Sequence, residues 1–214
     1  FNTQPFAEFA YYGRRDGCDI LDRIKNVRKL FLAFRLFLFE KLRVAEMHHV
    51  KGVDMSTGSL GQGLSAAVGM ALASKMDGKT NRVYALMGDG EIAEGQIWEA
   101  AMSAAKYQLD NLCGIVDVNG LQIDGPIAEV MNPAPHDEKF RAFGWHVITV
   151  DAHDFCELEA AFAEARETKG KPTAIIAKSV KGKGVSFMEG KAAWHGKAID
   201  AESFAAAMKE AILR

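Results

Sequence analysis

The sequence predicts an α/β protein with a doubly wound parallel sheet, and two observations support this prediction. From Val53 onward, short apolar segments of strand length alternate with longer helical segments, which is typical of βαβ units. The strand-length segments are apolar over most of their length, as expected where helices cover both faces of a sheet. The chain has 214 residues, 49% of them hydrophobic, which is enough for one such domain.

The predicted elements follow one another in a regular order. Three segments rich in helix formers are the predicted helices: 59–76, 95–107 and 155–168. Four short apolar segments are the predicted strands: 82–87, 112–118, 145–150 and 172–180. On the second helix, Ile97, Ala101 and Ala104 share one side, as on a helix with one buried face.

Residues 1–50 differ in composition from the remainder of the chain. They contain only two of the twenty glycines and nine aromatic residues. Residues 30–47 contain no Gly or Pro and are expected to form a helix, but apolar side chains surround its whole axis, so it needs cover on all sides. We therefore expect an atypical, partly helical segment over 1–50 and an α/β domain over 51–214.

Charge and cysteine content exclude several classes of protein. The net charge is −2, from 26 Lys+Arg and 28 Asp+Glu, so there is no basic excess to indicate nucleic-acid binding. The longest apolar run, 30–39, is interrupted by Arg35 and is shorter than the roughly 20 residues that span a membrane. Cys18, Cys113 and Cys156 are far apart and form no Cys-x-x-Cys pair, which favours a reducing, cytoplasmic setting.

The most informative residues follow the first two predicted strands. Strand 82–87 leads into Gly88, Asp89, Gly90 and Glu91, and ligands bind beyond the carboxyl ends of parallel strands. Asn119 follows strand 112–118, 30 residues after Asp89, about one strand–helix–strand unit, so the two side chains can converge. The N-terminus of the helix after Glu91 points at the same place, which suits a phosphate. A carboxylate, an amide oxygen and a backbone carbonyl suit a Mg²⁺ that also binds diphosphate and water.

Gly88-Asp89-Gly90 with Asn119 thirty residues later looks like the thiamine diphosphate motif. The flanking blocks MSTGSLGQG at 55–63 and VDVNGLQIDG at 116–125 resemble transketolase, in the form that is split into N-terminal and C-terminal subunits. A Gly-Asp-Gly triplet alone is usually a turn. Three blocks in the right order make the resemblance specific, and it covers most of the chain from about residue 50 onward.

The resemblance implies thiamine diphosphate and Mg²⁺, or Ca²⁺ or Mn²⁺, as cofactors, bound in the diphosphate-binding domain of the thiamine diphosphate fold. The side chains of Asp89 and Asn119 and the carbonyl of Leu121 are expected to bind the metal. Gly90 and Asn119 are expected to contact the diphosphate. From the residues alone, both the Gly-Asp-Gly triplet and the Asn-Gly pair can also be ordinary turns.

The resemblance also implies roles for five residues outside the metal site. Gly58, Ser59 and Leu60 are expected to contact the aminopyrimidine side of the cofactor. His195, in the triplet Trp-His-Gly, resembles the catalytic histidine near the diphosphate and substrate. Glu94 resembles the catalytic carboxylate that faces its symmetry mate in a homodimer of diphosphate-binding domains and couples the two cofactors. A solvated loop histidine and a helix N-terminal acid remain the alternatives for His195 and Glu94.

The function implied by the resemblance is transfer of a two-carbon ketol unit from a ketose phosphate to an aldose phosphate. In the family, the glutamate that binds the aminopyrimidine ring lies in a second domain, so activity is expected only with a C-terminal partner subunit. The family's KGH and GHP segments have no match before residue 58. Two alternatives remain: another thiamine diphosphate enzyme, of the 2-oxo acid dehydrogenase α or deoxyxylulose phosphate synthase type, or a non-catalytic cofactor-binding remnant.

Overall fold

The structure, a computed structural model, describes residues 53–213. The expectations for residues 1–50, including the helix over 30–47, lie outside the described residues. Thr57–His195 forms one compact unit, and the residues from Gly196 onward belong to a second. The division of the sequence into segments 1–50 and 51–214 stays a prediction.

The Thr57–His195 unit contains a four-stranded sheet. Its strands are β1 (Val83–Gly88), β2 (Leu112–Val118), β5 (His146–Asp151) and β6 (Thr173–Lys178). They are ordered β1-β2-β6-β5, and every neighbouring pair is parallel. All four predicted strands are therefore confirmed with small shifts at their ends. A short antiparallel hairpin of β3 (Leu121–Gln122) and β4 (Gly125–Pro126) is an additional feature that the apolar pattern does not predict.

The helices of this unit are α1 (Gln62–Met76), α2 (Gly95–Lys106), α3 (Ile127–Val130), α4 (His136–Ala142) and α5 (Phe155–Glu167). The second unit contains α6 (Ala201–Leu213). Short 3₁₀ turns span Glu91–Ala93 and Ala192–Trp194. The three predicted helices are present as α1, α2 and α5. None of the described helices is long and apolar enough to span a membrane.

Two apolar cores lie on opposite faces of the sheet, because alternate residues of a strand point to opposite sides. One core joins α1, α2 and α4 to the sheet through residues that include Leu64, Ala67, Ile97, Ala101, Ala104, Phe140, Met87, Val116 and Ile176. The other joins α5 to the sheet through Ala161, Ala165, Cys113, Val150, Ile175 and Ala177. Helices therefore cover both faces of a parallel sheet, which confirms the predicted fold class.

The strand register aligns the carboxyl ends of the strands at one edge. Gly88 of β1 lies beside Asp117 of β2, and Asp117 lies beside Ala177 of β6. On the far side of β6, Lys178 pairs with Asp151 of β5. The segments that leave β1, β2 and β6 thus start from neighbouring positions, which is the arrangement that gathers functional loops in parallel α/β folds.

Candidate functional site

Asp89 follows β1 directly and is almost completely buried, with 1% of its surface exposed. Its backbone N–H donates to the carbonyl of Asp117 at 3.1 Å, which extends the pairing of β1 with β2 by one step. Its Oδ1 accepts a hydrogen bond from the N–H of Gly90 at 2.9 Å, and its Oδ2 accepts one from the N–H of Gly120 at 2.6 Å. The carboxylate therefore ties the loop after β1 to the loop after β2.

No lysine, arginine or histidine in the part of the chain that the structure describes forms an ion pair with Asp89. A buried carboxylate without a cation is costly because it has lost most of its hydration. Backbone N–H donors compensate part of this cost, and a bound divalent cation would compensate the rest. Residues 53–213 contain no group of three or more His, Cys, Asp or Glu that could hold a metal, so an oxygen-ligand site there depends on amide and carbonyl oxygens.

Asn119 and Leu121 supply those oxygens beside Asp89. The side-chain Oδ1 of Asn119 accepts a hydrogen bond from the N–H of Leu121 at 3.1 Å and keeps a second lone pair. Leu121 lies opposite Pro126 in the hairpin, and proline has no N–H to donate to the Leu121 carbonyl. The structure thus brings together the predicted metal ligands Asp89, Asn119 and Leu121, and their oxygens fit Mg²⁺ or Ca²⁺.

The orientation of the Asn119 amide depends on Asp117, the next-to-last residue of β2. Asp117 Oδ2 accepts a hydrogen bond from Asn119 Nδ2 at 3.2 Å, and Asp117 Oδ1 accepts one from the hydroxyl of Ser179. Ser179 follows β6, and its N–H donates to the carbonyl of Val118 at 2.9 Å. The Asp117 carboxylate, which Ser179 also binds, therefore fixes the direction of the Asn119 amide nitrogen.

Gly90 allows the chain to approach Gln122 closely. A Cβ atom at Gly90 would lie 3.2 Å from Gln122 Oε1, so a larger residue would press on the hairpin beside the candidate metal site. Gly90 leads into the 3₁₀ turn, and α2 begins only at Gly95. The predicted start of this helix at residue 95 is therefore confirmed, and one turn of 3₁₀ helix precedes it.

Gly58, Ser59 and Leu60 lie in an exposed loop before α1. The sequence places Ser59 in the helix, but α1 begins at Gln62, so the predicted start is wrong by three residues. The cause is Gly61, whose φ of 85° is left-handed and ends the preceding loop. Loop 58–61 remains available for the predicted contact with a cofactor.

Glu94 is the N-cap residue of α2, and its side chain makes no capping hydrogen bond. It is exposed, and its carboxylate forms no ion pair with the residues that the structure describes. The helix dipole favours an acid at a helix N-terminus, so this position agrees with the alternative interpretation of Glu94 as a helix N-terminal acid. Its role opposite a symmetry mate stays a prediction.

His195 is exposed and follows the 3₁₀ turn Ala192–Trp194. Partial burial lowers the pKa of its imidazole, and the nearby positive charge of Lys181 lowers it further. No hydrogen bond connects the imidazole to the Asp89 cluster within residues 53–213. The structure therefore does not join His195 directly to the candidate metal ligands, and its catalytic role stays a prediction.

Four residues near this edge were given no role in the sequence analysis. Glu91 accepts hydrogen bonds from two backbone N–H groups in different segments, and Asp117 and Ser179 orient Asn119. Burial lowers the pKa of His136 while the carboxylate of Asp89 raises it, and the buried Nε2 of His136 has no hydrogen-bond partner. Two of them had a sequence signal: Glu91 directly follows Gly88-Asp89-Gly90, and Asp117 lies in the block before Asn119.

These features define the class of protein: a parallel α/β fold with a buried acid and an asparagine-containing turn at the carboxyl edge of the sheet. Residues 43–212 match the family model described as "Transketolase, thiamine diphosphate binding domain". This match covers most of the chain, which therefore belongs to the transketolase thiamine diphosphate-binding domain family.

Named relatives and solved structures agree with this assignment. The chain is 49% identical over 165 residues to the 6-deoxy-6-sulfo-D-fructose transketolase subunit SqwG of Clostridium sp., which covers 77% of this chain and 60% of that protein. It is 45% identical over 161 residues to an apulose-4-phosphate transketolase subunit of Phocaeicola vulgatus, covering 75% of this chain and 57% of that protein. Transketolase from Campylobacter jejuni aligns with a TM-score of 0.71 at 34% identity, over 75% of this chain and 26% of that one. The chain thus spans about three-fifths of the subunits that it matches.

Proposed function

We propose that this chain binds the diphosphate and the Mg²⁺ of thiamine diphosphate and forms one half of a ketol-transferring enzyme of the transketolase type. The observation that carries the proposal is the hydrogen bond of 2.6 Å from the N–H of Gly120 to Asp89 Oδ2. It fixes the buried acid against the turn that contains Asn119 and Leu121. Separate loops thereby present one oxygen-rich site.

In this proposal, Asp89, Asn119 and the carbonyl of Leu121 hold the metal, and Gly90 and Asn119 contact the diphosphate. Thiamine diphosphate supplies a carbon nucleophile that can cleave and form the carbon–carbon bond next to a ketose carbonyl. The chain's own contribution is to bind and orient the charged end of the cofactor. Because Asp89 and Asn119 are already held by hydrogen bonds, little ordering is needed when the metal binds.

We propose a C-terminal partner subunit that completes the site. Both named relatives described above are called subunits of transketolases, which favours a split enzyme here as well. The loops beside the candidate site also expose large apolar side chains, with Leu60 58% and Ile123 71% exposed. We further propose that two diphosphate-binding domains form a homodimer in which Glu94 faces its symmetry mate. The cytoplasmic location indicated by the cysteines belongs to the same proposal.

The substrates of the proposed enzyme are ketoses and aldoses with an anionic terminal group. One relative is named for a sulfonated ketose and another for a ketose phosphate. In this chain, Lys181 and Lys183 follow β6, the strand that also positions Ser179 beside Asp117. Lys183 pairs with Glu189 at 3.3 Å, which leaves Lys181 as the better candidate to attract a phosphate or a sulfonate.

The test replaces the proposed metal ligand without changing its shape. Asp89→Asn, co-expressed with a candidate C-terminal subunit, should bind thiamine diphosphate in the presence of Mg²⁺ on the order of 100-fold more weakly than the native complex. Isothermal titration calorimetry measures this affinity. A ketose phosphate and an aldose phosphate, with a coupled assay for the shortened product, measure ketol transfer.

Asp77→Asn is the matched control, because Asp77 is exposed and pairs with Lys79 on the surface. It should leave both readouts unchanged, and the native chain without its partner should show no ketol transfer. Unchanged cofactor affinity in Asp89→Asn would refute the metal assignment. Cofactor binding without ketol transfer, over a panel of anionic sugars and with the cognate partner, would favour the non-catalytic remnant.

A further inference from the structure

Glu91 joins two segments that are far apart in the sequence. Its Oε1 accepts a hydrogen bond from the N–H of Gly61 at 3.0 Å, and its Oε2 accepts one from the N–H of Gly88 at 3.2 Å. Gly61 ends the loop before α1, whereas Gly88 is the last residue of β1. A single carboxylate therefore connects loop 58–61 to the strand that leads into Asp89.

The contact is more specific than the usual preference for an acid at a helix start. An acid that only compensates a helix dipole lies near the first N–H groups of its own turn. Both carboxylate oxygens of Glu91 instead bind N–H groups outside the 3₁₀ turn that Glu91 begins. Hydrogen bonds to an ionised acceptor are stronger than neutral ones, so both are suited to fix a distance between segments.

Two further contacts hold the loop and the start of α1 against the segment that follows Glu91. A Cβ atom at Gly61 would lie 2.8 Å from the Cβ of Glu94, so the loop rests directly on the segment after Glu91. One residue further on, the side chains of Gln62 and Gln96 exchange two hydrogen bonds, at 2.6 and 3.0 Å. Only the bonds of Glu91 reach the end of β1, and they link this packed loop to the Asp89 edge.

We propose that Glu91 is a positioning residue that fixes loop 58–61 relative to the end of β1. This inference rests on the proposed function, in which loop 58–61 contacts the aminopyrimidine side of thiamine diphosphate and Asp89 holds its diphosphate end. One carboxylate then sets the spacing between the contacts for the two ends of the cofactor. Glu91 itself touches neither end and acts through the backbone of Gly61 and Gly88.

Two variants of the full chain test this role. Glu91→Gln keeps the shape but leaves one acceptor oxygen and places an NH₂ group against the second backbone N–H. Glu91→Ala removes both acceptors. Glu99→Gln is the matched control, since it makes the same chemical change on an exposed position of α2.

The first readout needs no cofactor. In amide NMR spectra of the chain, hydrogen exchange at Gly61 should be about tenfold or more faster in both variants than in the native chain, relative to interior amides of α1. Glu99→Gln should not change it. A purely structural role would instead lower the thermal midpoint and accelerate exchange along the whole of α1. Unchanged exchange at Gly61 would overturn the proposal.

The second readout uses the complex with the C-terminal partner. Thiamine diphosphate should bind about 10- to 100-fold more weakly in Glu91→Gln, while kcat at saturating cofactor stays close to the native value. Faster exchange at Gly61 together with native cofactor affinity would contradict the positioning role but leave the proposed function standing. If the native complex itself fails to bind thiamine diphosphate, the proposed function fails, and the cofactor role of Glu91 fails with it. Hydrogen exchange at Gly61 still decides whether Glu91 links loop 58–61 to the end of β1.

Discussion

Replacement of Gly61 by alanine should destabilise the Thr57–His195 unit by an amount that the structure allows us to separate into two parts. Gly61 has a φ of 85°, which costs a residue with a Cβ about 1–2 kcal/mol. The new Cβ would also lie 2.8 Å from the Cβ of Glu94 and 3.1 Å from its Cγ. Such overpacking against a neighbouring segment costs about 1–3 kcal/mol. We therefore expect a loss of about 2–5 kcal/mol in the free energy of unfolding.

Two other glycines separate these contributions. Gly78 has a φ of 65° but a Cβ there would meet nothing within 4 Å, so Gly78→Ala should cost only the conformational part, about 1–2 kcal/mol. Gly69 lies inside α1, and a Cβ there also meets nothing within 4 Å. Gly69→Ala should therefore stabilise the unit by about 0.5–1 kcal/mol, since alanine loses less conformational freedom in a helix.

Urea unfolding followed by tryptophan fluorescence measures the free energy of unfolding of the three variants. All three tryptophans of the chain, Trp98, Trp145 and Trp194, lie within Thr57–His195, so the signal reports this unit alone. The expected order of stability is Gly69→Ala above native, Gly78→Ala below native, and Gly61→Ala lowest. If Gly61→Ala is no less stable than Gly78→Ala, the close contact between loop 58–61 and Glu94 is refuted.

Two further predictions follow from burial. The pKa of His136 is lowered from 6.5, chiefly by burial, with Asp89 raising it and Lys139 lowering it. The unfolded chain then binds the proton more readily than the folded chain, so the free energy of unfolding should fall as the pH drops below about 6.5. Urea titrations at several pH values measure this, and His136→Gln should remove part of the pH dependence of the free energy of unfolding. Burial raises the pKa of Cys113 to about 12, so iodoacetamide should alkylate the exposed Cys156 well before Cys113 in the native chain. Mass spectrometry follows the labelling of each cysteine. Equal labelling of the two would contradict the burial of Cys113.

The strands could be predicted well because their signal is local. Each of the four contains a run of apolar residues bounded by polar or glycine residues. The start of α1 could not be placed from composition, because Ser59 and Leu60 are compatible with a helix and only the left-handed Gly61 stops it. The short helix α4 was missed for a different reason. It depends on Phe140, which packs against Trp145 just after the helix and against Trp98 in the distant helix α2.

The candidate site was predictable to the extent that it follows strand ends. Asp89 and Asn119 come directly after β1 and β2, and parallel pairing places both at one edge. The residues that hold this arrangement could not be found in the same way. Glu91 reaches Gly61 across 30 residues, and Ser179 reaches Asp117 across 62 residues, so these contacts are set by the strand order and loop path rather than by sequence spacing.

The two sides of the candidate site differ in how complete they are within this chain. On the Asp89 side, the carboxylate accepts hydrogen bonds from the N–H groups of Gly90 and Gly120, and the Asn119 amide nitrogen donates one to the carboxylate of Asp117. On the other side, Leu60 is 58% exposed and Glu94 makes no capping hydrogen bond. Groups fixed before binding lose little entropy when a ligand arrives, which supports the proposal that the first side binds the metal and the diphosphate. Within residues 53–213, Leu60 and Glu94 on the second side stay exposed, which supports the proposal of a second copy of this domain and a C-terminal partner.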